Sequence, residues 1–132
     1  MSASYGSCKD SLPVLESVDA SARLIIDLKA LAANYGTLCK ATNADVAGVV
    51  KANAYGLGLR VVAKVLDELG CKTFFTAFAG EGATLRSMLP AAEIYVLSPL
   101  IEHDINLLME HNLKPCLFDI DEIRQFIGQT EA

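Results

Sequence analysis

The chain has 132 residues, 52% of them hydrophobic, with a formal net charge of −5 and a pI near 4.9. This length allows one hydrophobic core and is too short for two ordinary domains. The acidic balance argues against a nucleic-acid-binding protein, because phosphate recognition needs a basic surface, and no apolar run reaches the roughly 18 residues of a membrane span. No secretory signal is visible at the amino end, so we expect a cytoplasmic protein.

The first residues show no hydrophobic periodicity and predict a mobile leader, residues 1–21, before one domain over residues 22–132. Residues 22–26 are a candidate for a short strand. Asp27 is placed to cap a helix. The predicted apolar face of that helix comprises Leu28, Leu31, Ala32, Tyr35, Leu38 and Cys39.

The next apolar run, residues 46–50, predicts a strand buried on both faces, as in a parallel sheet covered by helices. Lys51 stands at the carboxyl end of this strand, where α/β folds place their chemistry. Partial desolvation there favours a neutral, nucleophilic amine that can form a Schiff base. Alternatively, Lys51 only extends its ammonium to water from a strand end. Spacing alone leaves both interpretations open.

Two glycines follow this lysine, in the run Gly56-Leu57-Gly58. Before a helix, such a pair can cradle a phosphate, or it can form a tight turn that needs positive φ. Tyr55 precedes the pair, and its phenol could donate to a phosphate or bury its ring in the core. The sequence has no third glycine for a dinucleotide fingerprint and no P-loop motif.

The same strand and helix pattern continues to the carboxyl end. We predict a helix from Leu59 that Gly70 ends, with an apolar face made by Leu59, Val62, Ala63, Leu66 and Leu69. Strands are predicted at 73–78, 93–97 and 115–118, and helices at 81–89 and 102–111, the second of which buries Ile105, Leu108 and Met109. A last helix is capped by Asp119 and Glu122 and ends at Gly128. The fold class is therefore α/β, a partial TIM-type (β/α)8 barrel with about four parallel βα units after a leading strand and helix. Such a half-barrel would leave open strand edges and an apolar inner face.

Neither the histidines nor the cysteines predict a metal site. His103 lies between Glu102 and Asp104, but adjacent residues of a helix point about 100° apart and cannot converge on one ion. An acid at Glu81 is explained by the dipole of the helix that it opens. Four free thiols without a C-x-x-C pair fit a reducing compartment: Cys8, Cys39, Cys71 and Cys116.

The run from Val49 to Gly58, V-V-K-A-N-A-Y-G-L-G, resembles the signature V-K-A-[ND]-A-Y-G-H-G of the alanine racemase family. The likeness covers nearly everything from Arg23 to Ile127, which corresponds to the amino-terminal barrel of that family. Further matching segments are Ile26-Asp27-Leu28, Phe74-Phe75, Glu81-Gly82, Leu85-Arg86, Ile94-Tyr95-Val96-Leu97 and Pro115-Cys116-Leu117.

The resemblance implies a function and its residues. It implies an isomerase of D-alanine biosynthesis that converts L-alanine to D-alanine with pyridoxal 5′-phosphate (PLP), with Lys51 as Schiff-base lysine and acid/base on one face. It places Tyr55 at the cofactor phosphate. The family supplies a second base, a tyrosine from the partner subunit of a homodimer, on the opposite face.

The sequence departs from the family pattern at two places and does not include several regions on which the family's activity depends. Leu57 replaces the histidine of the signature, and Phe118-Asp119 replaces the usual Asn-Ser after the fourth strand. The second base, two cofactor-contacting arginines and the carboxy-terminal β-domain belong to family regions beyond Ala132. We therefore expect a fragment that is inactive alone. The alternatives are a racemase of broader specificity and a non-catalytic PLP-binding remnant.

Overall fold

A computed structural model describes residues 24–130 of the chain. The strands are β1 Gly48–Val49, β2 Thr73–Thr76, β3 Glu93–Val96 and β4 Lys114–Pro115. The helices are α1 Leu28–Ala41, α2 Lys51–Tyr55, α3 Leu59–Glu68, α4 Ala79–Met88, α5 Ile105–Glu110 and α6 Ile120–Thr130, with a 3-10 turn, Glu102–Asp104, leading into α5. No helix among these residues is long and apolar enough to cross a membrane.

The four strands form one parallel sheet in the order β1-β2-β3-β4. Its register aligns Val49 with Phe75, Phe75 with Tyr95, and Tyr95 with Lys114. Helices alternate with the strands along the chain, as a parallel sheet requires. The predicted α/β partial barrel with four βα units is confirmed.

The core lies between one face of the sheet and the helices. Alternate strand residues point into it, and Phe74 and Ile94 are fully buried there. Helix α3 buries the face predicted from its periodicity: Leu59, Val62, Ala63 and Leu66. Leu85 of α4 belongs to the same core and is also fully buried.

The opposite face of the sheet is partly open within residues 24–130. Val49 is 45% exposed there, so the prediction of a strand buried on both faces is wrong for this part of the chain. The rings of Phe75 and Tyr95 stack with centroids 5.1 Å apart, and the Lys114 ammonium lies 5.2 Å from the Tyr95 ring centre. Lys114 also pairs with Glu93 at 3.1 Å. This aromatic and charged row occupies the face that a complete barrel would enclose.

Most predicted ends of elements are confirmed. The Asp27 carboxylate accepts the N–H groups of Lys29 and Ala30 at 2.9 and 3.0 Å, as expected of a helix cap. Gly70 ends α3 with φ of +93°, in the left-handed region that a helix-ending glycine adopts. Asp119 accepts the N–H of Glu122 at the start of α6.

Four predictions about elements are wrong. The predicted apolar face of α1 is exposed at Leu38, by 57%, and at Cys39. The candidate strand has no ladder in its described part, Leu24–Ile26, where Leu24 and Ile25 are 74% and 78% exposed, because no strand within residues 24–130 pairs with it. Helix α6 continues through Gly128 to Thr130, since glycine weakens a helix interior by only about 1 kcal/mol. Met109, expected in the core, is 54% exposed. The leader, residues 1–21, lies outside the described residues.

Candidate functional site

Lys51 lies where the sequence predicts it, directly after β1 at the carboxyl end of the sheet. The strand pairing continues one residue past β1, since the Val50 N–H donates to the Phe75 carbonyl at 2.9 Å. Val50 is fully buried, and the Lys51 side chain is half-buried. Its ammonium takes part in no ion pair within residues 24–130. The amine is thus anchored by a rigid strand and remains chemically available.

The backbone after Lys51 is wound left-handed. Ala52, Asn53, Ala54 and Tyr55 have φ values of 51°, 55°, 53° and 54°. The turn is closed by hydrogen bonds from the Ala54 N–H to the Val50 carbonyl at 2.8 Å and from the Gly56 N–H to the Ala52 carbonyl at 3.0 Å. A left-handed conformation costs L-residues about 1–2 kcal/mol each. Such strain persists only where surrounding structure enforces it, and it concentrates at functional sites.

The two glycines form the predicted tight turn. Gly56 and Gly58 have φ of +84° and +97°, so the interpretation that requires positive φ is confirmed. The N–H groups of Gly56, Leu57 and Gly58 all donate within the turn, to the carbonyls of Ala52, Ala54 and Asn53. These three N–H groups are therefore bonded within the turn, and the interpretation in which the glycines and the helix start cradle a phosphate stays a prediction.

Asn53 connects the left-handed turn to the next helix. Its side-chain oxygen accepts the N–H of Leu59, the first residue of α3, at 2.8 Å. Asparagine is also the residue type, after glycine, that most readily adopts positive φ. Both properties were readable in the sequence, but they point to this turn only when Asn53 and the glycines are considered together.

Glu81 has a larger role than the sequence indicates. Its carboxylate accepts the N–H of Ala77 at 2.8 Å and that of Phe78 at 3.4 Å, which caps α4. The other carboxylate oxygen accepts the Asn53 N–H at 3.4 Å. The dipole argument anticipated an acid at this helix start. It gave no sign of the bond to Asn53, which joins positions 28 residues apart.

Tyr55 lies four residues after Lys51 and is exposed. Its exposed fraction is 64%, so the interpretation with a buried ring is wrong. The hydroxyl forms no hydrogen bond in the part of the chain that the structure describes, which leaves it free to bind a ligand. Leu57, in place of the signature histidine, is 38% exposed beside it.

The departure at Phe118-Asp119 has a local structural role. Phe118 is 64% exposed, and its N–H donates to the Glu122 carboxylate at 2.8 Å. Asp119 caps α6, a role that the serine expected there could also fill.

His103 makes only a contact with its neighbour. It is 80% exposed, and its Nε2 lies 3.5 Å from the Asp104 carboxylate. Within residues 24–130, no three side chains of the His, Cys, Asp or Glu types are grouped so that they could hold a metal ion.

The chemistry available at this site is that of an amine and a phenol. The amine of Lys51 can condense with an aldehyde, and the phenol of Tyr55 can donate a hydrogen bond to an anion. A ligand that carries both an aldehyde and a phosphate would match these two groups.

Comparison with known sequences identifies the relatives of this chain. The sequence model of the family described as "Alanine racemase, N-terminal domain" matches residues 26–131. An alanine racemase of Ruegeria is 43% identical over 105 residues, which are 79% of this chain and 30% of that protein. A biosynthetic alanine racemase of Agrobacterium fabrum is 39% identical over 119 residues, covering 87% of this chain and 30% of the relative.

Comparison of folds also finds alanine racemases. The alanine racemase of Bartonella henselae, solved with covalently bound pyridoxal phosphate, matches with a TM-score of 0.75 at 32% identity, over 80% of this chain and 30% of that one. The enzyme from E. faecalis matches with a TM-score of 0.72 at 27% identity, over 79% of this chain and 29% of that one. This chain therefore spans about 30% of the length of the proteins that it matches.

Proposed function

We propose that this chain, which belongs to the alanine racemase amino-terminal domain family, carries the lysine side of a PLP-dependent racemase that interconverts L- and D-alanine. Lys51 is the residue that binds PLP covalently. The observation that carries this proposal is the position of Lys51, half-buried at the carboxyl end of β1 and followed by a strained left-handed turn.

The residues present fit two groups of PLP. The unpaired amine of Lys51 suits the aldehyde, and the free hydroxyl of Tyr55, 64% exposed, suits the phosphate. Tyr55 supplies the phosphate contact here, because the N–H groups of the glycine turn are already bonded. A Bartonella henselae relative contains covalently bound pyridoxal phosphate, which supports the same assignment.

Racemisation then assigns a second task to Lys51. When bound, PLP withdraws electrons from the α-carbon of the amino acid and so makes its proton removable. Once the amino group of the substrate has replaced it on PLP, the freed amine of Lys51, carried at the strand end, would take or return that proton on one face. Inversion needs a second acid/base on the opposite face. The family's tyrosine from a partner subunit is proposed for that task in the full-length homodimer.

Mapping of the PLP attachment site tests this function. The purified chain is mixed with PLP, reduced with borohydride and digested, and the labelled peptide is identified by mass spectrometry. We expect the label on Lys51 and its loss in Lys51→Ala. Lys64, exposed on α3, provides the matched control, because Lys64→Ala removes an amine remote from the strand end. Label that persists in Lys51→Ala would disprove the assignment.

Activity of the 132-residue chain tests the need for a second base. We expect no D-alanine formation by the tag-free 132 residues with PLP, because they span about 30% of the relatives' length and the second acid/base group is proposed to come from another part of the full-length protein. D-alanine formation that disappears in Lys51→Ala would contradict this expectation. Assays of several amino acids with the full-length gene product would separate a racemase specific for alanine from one of broader specificity.

A further inference from the structure

The left-handed turn after Lys51 is bonded to the neighbouring βα loop through one side chain. Glu81 places one oxygen on the N–H groups of Ala77 and Phe78, at the start of its own helix, and the other oxygen on the N–H of Asn53. This carboxylate is the link, within residues 24–130, from the loop after β2 to the backbone that carries Lys51.

Asn53 lies at the centre of the turn, and three of its polar groups form hydrogen bonds: the main-chain carbonyl, the main-chain N–H and the side-chain oxygen. Its carbonyl accepts the Gly58 N–H at 2.9 Å, and its side-chain oxygen accepts the Leu59 N–H at 2.8 Å. Its own N–H points to the Glu81 carboxylate at 3.4 Å. Because Ala52, Ala54 and Tyr55 are residue types that disfavour positive φ, the bonds at Asn53 add to the two backbone bonds that close the turn.

A comparable arrangement occurs at Glu122, in the first turn of α6. Glu122 of α6 accepts the Phe118 N–H at 2.8 Å with one oxygen and the Leu100 N–H, in the preceding βα loop, at 3.1 Å with the other. Glu122 and Glu81 therefore make the same two kinds of contact, one at the start of their own helix and one with the preceding βα loop. Only Glu81 contacts the turn beside Lys51.

We propose that Glu81 is a positioning residue that fixes the Lys51 amine toward PLP by holding the left-handed turn at Asn53. This inference rests on the proposed function, because it takes Lys51 as the covalent PLP site. Glu81 is assigned no contact with the cofactor or the reacting atoms. Its effect is transmitted through the backbone between Lys51 and Asn53.

The variant Glu81→Gln separates this role from the capping of α4. Glutamine has one side-chain oxygen, which can still accept the N–H groups of Ala77 and Phe78. Its amide NH2 then faces the N–H of Asn53. Two donors then face each other, so the bond to Asn53 is lost while the helix cap remains. Glu122→Gln makes the same chemical change at the same helix position and leaves Lys51 undisturbed.

Three measurements on the full 132-residue chain test the proposal: amide hydrogen exchange at Asn53, the dissociation constant for PLP, and the melting temperature. For Glu81→Gln we expect exchange at Asn53 and the PLP dissociation constant to rise by about two- to fivefold, as loss of one long, exposed hydrogen bond to a carboxylate implies. Glu122→Gln should leave both at the wild-type level, and the two variants should melt within a few degrees of each other.

Equal PLP affinity in Glu81→Gln and wild type would overturn the proposal, as would an equal loss of affinity in both glutamine variants. Failure of the proposed function has a different signature, in which borohydride-reduced PLP is found on a residue other than Lys51. If PLP is found elsewhere, the exchange rate of the Asn53 N–H still tests the contact between Glu81 and the turn. Unchanged exchange in Glu81→Gln would reject that contact, and faster exchange would support the contact alone.

Discussion

The side-chain oxygen of Asn53 accepts the N–H of Leu59 at 2.8 Å, so a residue inside the left-handed turn caps the helix that follows it. Asn53→Ala should lower the free energy of unfolding by about 1–2 kcal/mol, because it removes the cap and places a less tolerant residue at positive φ. Asn53→Asp keeps the acceptor oxygen and should stay close to wild type. Urea denaturation measures both, and an alanine variant as stable as the aspartate variant would contradict the prediction.

Two glycines of α4 should respond in opposite directions to alanine. A Cβ on Gly82 would lie 2.9 Å from Leu113 Cδ1, whereas a Cβ on Gly80 meets nothing within 4 Å. Gly82→Ala should therefore destabilise the protein by about 1–3 kcal/mol through overpacking. Gly80→Ala should stabilise it by about 0.5–1 kcal/mol through helix propensity. Thermal unfolding of the pair checks this, and a common sign would disprove it.

The guanidinium of Arg86 holds two loops together. It donates to the carbonyls of Ala92 and Pro90 on one side and to those of His111 and Asn112 on the other. Lysine cannot reproduce this spread of donors, so Arg86→Lys should lower the free energy of unfolding by about 2–3 kcal/mol.

Arg60 provides the control for that measurement. It is exposed on α3, and Arg60→Lys should change the free energy of unfolding by less than about 0.5 kcal/mol. Chemical denaturation of both variants is the measurement. Equal effects would show that the guanidinium hydrogen bonds of Arg86 add nothing to the free energy of unfolding.

Burial is the main cause that raises the pKa of the Tyr35 hydroxyl above its usual value, and hydrogen bonds to the thiols of Cys71 and Cys39 act in the same direction. The folded state therefore keeps a proton that the unfolded state loses above about pH 10, so stability falls as pH rises through that range. Tyr35→Phe lacks this proton and also the bond to the Val46 carbonyl.

The stability difference between wild type and Tyr35→Phe measures that linkage. Wild type should be more stable by about 1 kcal/mol at pH 8, and the difference should narrow between pH 10 and pH 11.5. Urea unfolding at four pH values gives the profile. A difference that is constant with pH would mean that the phenol has the same proton affinity in both states.

The elements that bury one face were the predictable part of this fold. The periodicity of α3 gives the buried residues Leu59, Val62 and Ala63 correctly, and the strands β2 and β3 fall within two residues of their predicted bounds. These features are local, since burial on one face is repeated every few residues along the chain.

The connections around Lys51 were not predictable in the same way. The left-handed φ values of Ala52 and Ala54 contradict the preferences of alanine, and the bond from Asn53 to Glu81 joins distant positions. Local propensity cannot report a conformation that distant contacts enforce. The assignments of Lys51 and Tyr55 to PLP come from family resemblance and stay predictions.

Strand order in this sheet is the same as chain order: β1, β2, β3 and β4 lie side by side in the order in which they are synthesised. Each new βα unit leaving the ribosome thus finds its partner strand already made, and contact order stays low for a parallel sheet. Folding of this region can therefore proceed vectorially from the amino end. The Lys51 strand would be the first of the four to be in place, and the β2 unit that carries Glu81 would secure its turn next.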